Sequence, residues 1–571
     1  MRTPLRVSTA VVAAVVSVLV WACGGATPRG GEARAPDRVT LSIVGTNDLH
    51  GHVEALPAFS GYVANLRVVR AADEGGVVLL DGGDMFQGTL ESNLLEGAPI
   101  VEAYAALGYD AVTIGNHEFD YGPLGDRATP SAPTDDPRGA LRARIAQAPY
   151  AFLSANLMDR ASGARASLGT EEHPVLPTTT LERAGIRIGV IGVTTEQTLT
   201  TTIAANVSDL VMRPLLDTIA EHARSLRADG VDLVVVAAHA GGRCRELEVP
   251  TDLSSCDPEQ EIMAIAHGLE AGAVDVIVAG HTHQGMAHVV DGIAIVESFS
   301  YGRAFGRVDV TFDRGTHEVL DRRVFPPTEI CRGEDCADAR YEGLPITPDP
   351  RVVSATARAT EHAAERRARA IGVTLTTTIT RAGSEESALG NLFTDLMRAA
   401  RPEADVALYN GGGLRADLPE GPLAYGAFYE ALPFDNRFAL VRMTGADLAR
   451  MLVDNATRDT SFLSISGVHA SLACVAGHGL VATLTRSDGR VIGETEAITV
   501  VVSDFLATGG DDVLGEVRER PGALRIEDDP PIREAMLAIL TARGGALDAA
   551  RLLPPGQPRV ALPGERPVHC P

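Results

Sequence analysis

The chain contains no lysine: all 50 of its basic residues are arginine, in a sequence of 571 residues. That excludes a P-loop lysine, a kinase strand lysine and a Schiff-base lysine. If phosphate is handled here, metals or arginines must supply the charge. Aromatic residues are scarce too, at 4% with a single tryptophan. An aromatic side chain placed in a Gly- or Pro-marked loop is therefore not easily explained by packing. Positive charge is in deficit overall, since 75 acids leave a formal net charge of -25. So acidic a surface repels polyanions, which excludes nucleic acid as a partner. The N-terminal apolar stretch, Ala10 to Ala22, is too short for a spanning helix.

What is present describes a globular, exported protein. Hydrophobic residues make up 45% and charged residues 22%, and the length predicts two large domains plus a tether. Arg2 and Arg6, the apolar stretch and Cys23 read as a secretory signal. Val20-Trp21-Ala22-Cys23 resembles a bacterial lipobox, which implies a lipid anchor on Cys23 facing the periplasm or the exterior; ordinary signal cleavage is the other reading. Residues 24–38, rich in Gly, Ala, Pro and Arg, read as a flexible tether. Six further cysteines, an even number, favour disulfides in an exported chain. Proximity suggests Cys244 with Cys256 and Cys331 with Cys336, and elimination leaves Cys474 with Cys570, although fifteen pairings exist on paper.

From Val39 to about Val324 one pattern recurs: a short β-branched run ends in Asp, Asn, His and Gly. Leu41 to Val44 leads into Asp48-Leu49-His50-Gly51, and Val77 to Leu80 into Asp81-Gly82-Gly83-Asp84. Ala111 to Ile114 leads into Gly115-Asn116-His117-Glu118, Leu233 to Val236 into His239, and Val276 to Val278 into Gly280-His281-Thr282-His283. Helix-period segments, such as Ile100 to Leu107 and Pro214 to Asp229, lie between these runs, so the layout is α/β. Ligands in such sheets gather beyond the carboxyl ends of strands. Asp126 to Arg138 reads as a surface insertion, Arg351 to Ala370 as a connecting helix, and the Pro-rich C-terminus as an extended tail. A second α/β stretch runs from about Ile371 to Leu547.

Carboxylate, amide and imidazole together suit a divalent transition metal such as Zn, Mn, Co or Fe better than Mg or Ca. Asp48, His50, Asp84, Asn116, His239, His281 and His283 suffice for two ions if one carboxylate bridges them. Paired ions stabilise both the entering and the leaving oxygen of a displacement at phosphorus. Each residue taken singly reads as a hydrogen-bonded loop residue; the joint placement at five strand ends points to metal.

These motifs, with Phe119-Asp120 completing the third, resemble those of calcineurin-like metallophosphoesterases, and the chain beyond the tether resembles the 5′-nucleotidase family. The resemblance implies a layered αββα metallophosphoesterase domain over 39–350 and a smaller α/β substrate-binding domain over 351–571. It places Asp48, His50, Asp84 and His283 on one ion and Asp84, Asn116, His239 and His281 on the other. It also implies a catalytic dyad of His117 and Asp120, the carboxylate orienting an imidazolium toward the phosphoryl group. Asn410-Gly411-Gly412-Gly413-Leu414-Arg415 resembles the loop whose arginine meets phosphate or ribose. Phe434, in Leu432-Pro433-Phe434, and Phe505, in Asp504 to Asp511, match the two phenylalanines that sandwich the base, and Asp511 closes that segment. One departure is visible: the family's arginine before Glu386-Ser387-Ala388-Leu389-Gly390-Asn391 is replaced by Gly383, with Arg381 two residues earlier, so either the loop is longer and Arg381 still reaches the substrate phosphate or one anionic contact is missing. Just past the first motif, His52 reads as a solvent-side neighbour or a participant.

The resulting expectation is an exported enzyme with two divalent metals that removes the 5′-phosphate of small-molecule nucleotides. The alternatives are a UDP-sugar hydrolase, a 2′,3′-cyclic-nucleotide phosphodiesterase and a non-catalytic surface binding protein.

Overall fold

The structure, a computed structural model, describes residues 38–570 apart from 126, 459, 528 and 529. Cys23, its lipobox and most of the tether lie outside the described residues. Among the described residues no helix is long and apolar enough to cross a membrane.

The N-terminal domain is built on two six-stranded mixed sheets packed face to face. One has the order Val319–Glu329, Ala304–Asp313, Arg38–Thr46, Gly76–Asp81, Ala111–Thr113, Ala151–Leu153. The other runs Gly285–Val290, Ile293–Ser298, Val276–Val278, Leu233–His239, Ile186–Thr194, Thr178–Arg183. Period-two alternation sorts their side chains: Leu41 and Ile43 point into the layer between the sheets, with Val235 and Val278 opposite, while Val44 packs outward against the helix Leu56–Ala72. A second outer core lies under Leu215–Ala228, which buries Leu215, Ile219, Ala223 and Leu226 along one stripe. Helices thus cover both outer faces, and the layering is αββα.

Parallel pairing sets the height of the strand ends. Thr46 is in register with Asp81, Leu80 with Ala111, and Thr194 with His239. Five runs therefore finish at one rim, where their loops converge. Of the expected insertion, Arg138 is buried and pairs with Asp209.

The connecting helix spans Pro350–Ala368, capped by Asp349 and begun by a proline at its first turn. It leads into a domain whose five-stranded sheet has the order Leu463–Ser466, Val406–Asn410, Ala497–Ser503, Phe438–Thr444, Leu524–Ile526. Ala388–Ala400 and Ile532–Arg543 cover one face, and Gly445–Thr457 the other. The C-terminal tail is extended and also pinned: Val560–Ala561 adds a strand beside Val468–Val475, and Cys570 bonds to Cys474. The other disulfides are Cys244–Cys256 and Cys331–Cys336, so all three expected pairings form.

Candidate metal centre and interdomain cleft

The seven candidate ligands meet at the rim. The ligand atoms of Asp48, His50 and His283 lie within 4.8 Å of one another, and so do those of Asp84, His239 and His281. Asp84 Oδ2 joins the groups, 3.2 Å from His239 Nε2 and 3.7 Å from His50 Nε2. Asn116 Oδ1 completes the second group, 2.9 Å from His239 Nε2.

Backbone strain accompanies this convergence. Asp48, His50, Asp84, His281 and His283 all have positive φ, between 49° and 83°. Left-handed backbone in non-glycine residues costs of order 1–3 kcal/mol each and persists only where the surroundings over-determine it. Hydrogen bonds from neighbouring loops do this. The amides of Asp48 and His50 donate to the carbonyls of Gly83 and Asp84. Buried Glu118 accepts from the amides of Asp84, Met85 and Gly115. The amide of His281 donates to Asp48 Oδ2, which also accepts from Asn47.

The donor chemistry fits divalent cations. His50 Nδ1 sits 2.7 Å from the Gln87 carbonyl and His239 Nδ1 2.8 Å from that of Gly82. A carbonyl only accepts, so each Nδ1 carries a proton, and each Nε2 is the ring atom left to face a cation. His50 Nε2 and His283 Nε2 face each other at 3.1 Å, and Asp48 Oδ1 is buried with no hydrogen-bond partner. Such a concentration of acceptors is stable only around positive charge. Burial pushes the Asp84 carboxyl up, but His239 and His117 outweigh it and hold it well below the usual carboxylate range. Burial lowers His239, yet Asp84 beside it pushes that imidazole up to about 10. In the protein alone, a proton on His239 supplies part of the positive charge that the cluster demands.

His117 and Asp120 form the expected pair, Nδ1 to Oδ2 at 2.5 Å, and Thr202 donates to the other Asp120 oxygen at 2.7 Å. Burial depresses the His117 imidazole, and Asp120 and Asp84 more than reverse this and raise it above its ordinary value. The backbone amide of His117 donates to Asp84 Oδ1 at 2.8 Å, coupling dyad and cluster.

One cavity of about 180 Å³ brings this rim against the second domain. Its walls include Asp84, Asn116, His117 and His281 from the first domain, and Asn410, Arg415, Phe434, Phe505 and Asp511 from the second. Arg415 Cζ lies 5.8 Å from the Phe434 ring, which is 5.8 Å from the His117 ring. Asp511 Oδ2 accepts from Asn410 and Ser461, fixing the two loops to each other. A Cβ at Gly510 would fall 2.5 Å from the Phe505 ring, so the glycine makes room for it.

Two sequence candidates lie elsewhere. Arg381 does not line this cavity: its Nη1 donates to the Leu414 carbonyl and its amide to Asp417, behind the glycine loop. His52 pairs with Glu54 and packs beside Tyr301, also off the cavity. The sequence reading missed Thr202, which orients Asp120, and the amides of Gln87 and Asn93, which both donate to the Pro433 carbonyl across the domain boundary. Thr, Gln and Asn are common loop residues, and only the fold reveals their partners.

Residues 41–285 match the calcineurin-like phosphoesterase family, and residues 367–516 the 5′-nucleotidase C-terminal domain. The chain is 27% identical to a cell wall protein of Listeria monocytogenes over 84% of its own length and 64% of that protein's. It is 26% identical to an endonuclease of Bacillus subtilis but spans only 37% of that protein. It is 25% identical to a 5′-nucleotidase of Vibrio vulnificus, covering 90% of this chain and 92% of that one. The fold is similar to that of a 5′-nucleotidase precursor from Thermus thermophilus, with a TM-score of 0.70 and 23% identity over 91% of this chain and 99% of that one. With acceptor clusters at the rim of the first domain and a loop-built wall from the second, this chain belongs to the family that joins a calcineurin-like phosphoesterase domain to a 5′-nucleotidase C-terminal domain.

Proposed function

We propose that the protein is a dinuclear-metal phosphoester hydrolase that removes the 5′-phosphate from nucleotides, giving nucleoside and inorganic phosphate. The observation that carries this reading is the single cavity in which an acceptor cluster bridged by Asp84 faces His117, Arg415 and two phenylalanines. Asp48, His50, Asp84 and His283 would hold one ion and Asp84, Asn116, His239 and His281 the other; the mixed nitrogen and oxygen donors suit Zn, Mn or Co. When bound, such ions neutralise phosphoryl charge and activate water at neutral pH.

The chain's own groups do the rest. Arg415 brings fixed positive charge to the phosphate. His117, held by Asp120, aims an imidazolium at the transferring group, where it stabilises charge that grows toward the transition state. Phe434 and Phe505 offer aromatic faces to the base, which binds any base by stacking without reading its identity. The Pro433 carbonyl, held by Gln87 and Asn93, keeps the Phe434 loop against the first domain.

A substrate with a bulkier leaving group, such as a UDP-sugar, is the second reading. It is favoured by an adjoining cavity of about 1410 Å³ that shares Asp120, Ile203 and Phe434 with the first. The protein is further proposed to be exported, which the three disulfides and the similarity to a cell wall protein support, and to be anchored through Cys23, which rests on the lipobox-like sequence alone. Phosphate release from AMP, UDP-glucose and 2′,3′-cyclic AMP, with Zn, Mn or Co supplied, tests the substrate. AMP should be turned over at least tenfold faster than the others; faster UDP-glucose cleavage selects the second reading, and no turnover of any of them overturns both.

A further inference from the structure

Glu297 is fully buried at the end of Ile293–Ser298, behind the rim and out of reach of the cavity. One carboxylate oxygen accepts from the Gly242 amide at 2.8 Å, three residues beyond His239. The other lies 2.6 Å from Thr282 Oγ1, the residue between His281 and His283. Thr282 Oγ1 in turn lies 2.7 Å from the Gly242 carbonyl, which closes a ring of three polar contacts. A Cβ at Gly241 would meet both Glu297 oxygens within 2.8 Å, so a glycine stands where the carboxylate presses on the chain. The next residue along the strand, Ser298, gives its amide to Asn47, whose side chain holds Asp48.

This one side chain therefore ties together the loops that carry His239, His281 and His283. The latter two have φ of 83° and 59°, in the left-handed region where an untethered histidine relaxes away. Thr282 is pinned between them. We propose that Glu297 is a positioning residue for the metal centre, fixing the spacing of three of its four histidines and so setting metal affinity; this rests on the dinuclear-metal reading above. Groups behind a ligand shell that orient its members change metal affinity by about 10–100-fold when removed.

The ring also predicts which substitution it tolerates. A glutamine at 297 accepts from the Gly242 amide through its oxygen and donates to Thr282 Oγ1 through its nitrogen, leaving the threonine hydroxyl for the Gly242 carbonyl. An alanine removes both carboxylate contacts and leaves only the Thr282–Gly242 contact between the loops. Thr282→Val cuts the ring at its other corner while leaving the carboxylate in place, and it does so without opening a cavity.

The test is Co(II) titration of the metal-free, full-length protein and its Glu297→Ala, Glu297→Gln and Thr282→Val variants, read by visible absorption and by chelator competition. Glu297→Ala and Thr282→Val should bind Co(II) at least tenfold more weakly than the parent, with altered band positions, while Glu297→Gln stays within threefold. Equal Co(II) affinity and spectra in parent and Thr282→Val overturn the inference, whether or not Glu297→Ala folds. Loss in Glu297→Gln as severe as in Glu297→Ala overturns it too. A parent that binds no Co(II) instead defeats the dinuclear-metal reading itself.

Discussion

Arg415 Nη2 lies 3.0 Å from His50 Nε2, joining the two domains across 365 positions of sequence. The guanidinium thus stands at the mouth of the ligand cluster, where a substrate phosphate would displace it from the imidazole. A charged hydrogen bond to phosphate is worth about 1.5–3 kcal/mol, or roughly 10–150-fold. Arg415→Ala should raise KM for AMP by about that factor with a smaller change in kcat. Arg415→Lys should recover part of the loss, because an ammonium keeps the charge but not the fork. Steady-state kinetics at saturating metal measure both.

His117 acts only if an imidazole stands at that place. His117→Ala should lower kcat by about 10²–10⁴-fold, the usual span for a positioned acid or a preorganised donor. Metal content should be unchanged, since Asp84 and Asn116 remain. Asp120→Asn should cost less, because the Thr202 contact still orients the side chain. Rapid-quench phosphate release with metal analysis on the same samples checks this.

Metal removal should destabilise as well as inactivate. Loop hydrogen bonds hold five strained ligand backbones in place, and the buried carboxylates and imidazoles they bring together, Asp48 Oδ1 among them, would gain further from a cation. A ligand that binds only the folded state adds about 2.7 kcal/mol at a hundredfold excess over its dissociation constant. Chelated protein should melt several degrees below protein supplied with Mn or Co, and readdition should restore both melting temperature and turnover.

Much of this centre was legible in the sequence because its chemistry sits at strand ends. Asp48, Asp84, Asn116, His239 and His281 each follow a β-branched run, and parallel pairing carries runs in register to one rim. The connecting helix was readable for a similar reason: Arg351 to Ala370 lacks Gly and Pro, and the helix forms over Pro350–Ala368. Glu297 was not legible, since a single acid ending the apolar run Ile293 to Val296 has meaning only once Gly242 and Thr282 fold against it. Arg381 shows the opposite limit. Its offset left open whether a longer loop still reaches phosphate or one anionic contact is missing; its Nη1 donates to the Leu414 carbonyl, and it does not line the cavity.

The disulfides should differ in worth. Cys474–Cys570 closes a loop of 96 residues and clamps the tail strand, while Cys331–Cys336 closes only 5. Loop-closure entropy assigns about 5 kcal/mol to the first and about 2 kcal/mol to the second. Cys570→Ser should therefore lower denaturant stability more than Cys336→Ser, as measured by far-UV circular dichroism in guanidinium.

Asp447 gives a prediction with a defined sign in pH. It completes a capping box with Thr444 at the start of Gly445–Thr457 and accepts two bonds from Arg520, at 2.6 and 2.7 Å. The bonds from Arg520 hold its carboxyl well below the usual carboxylate range, against the upward push of burial. A carboxylate whose folded pKa is depressed stabilises fully above its unfolded pKa of about 4, and that stability fades as pH falls toward the folded value. Asp447→Asn should cost up to about 1 kcal/mol at pH 6, the range for a partly exposed ion pair. Because the asparagine does not titrate, the gap between parent and variant should shrink steadily from pH 5 to pH 2. Paired urea titrations of the two proteins across that range measure the gap directly; a gap that stays constant, or widens in acid, would show that the Arg520 contact contributes nothing through charge.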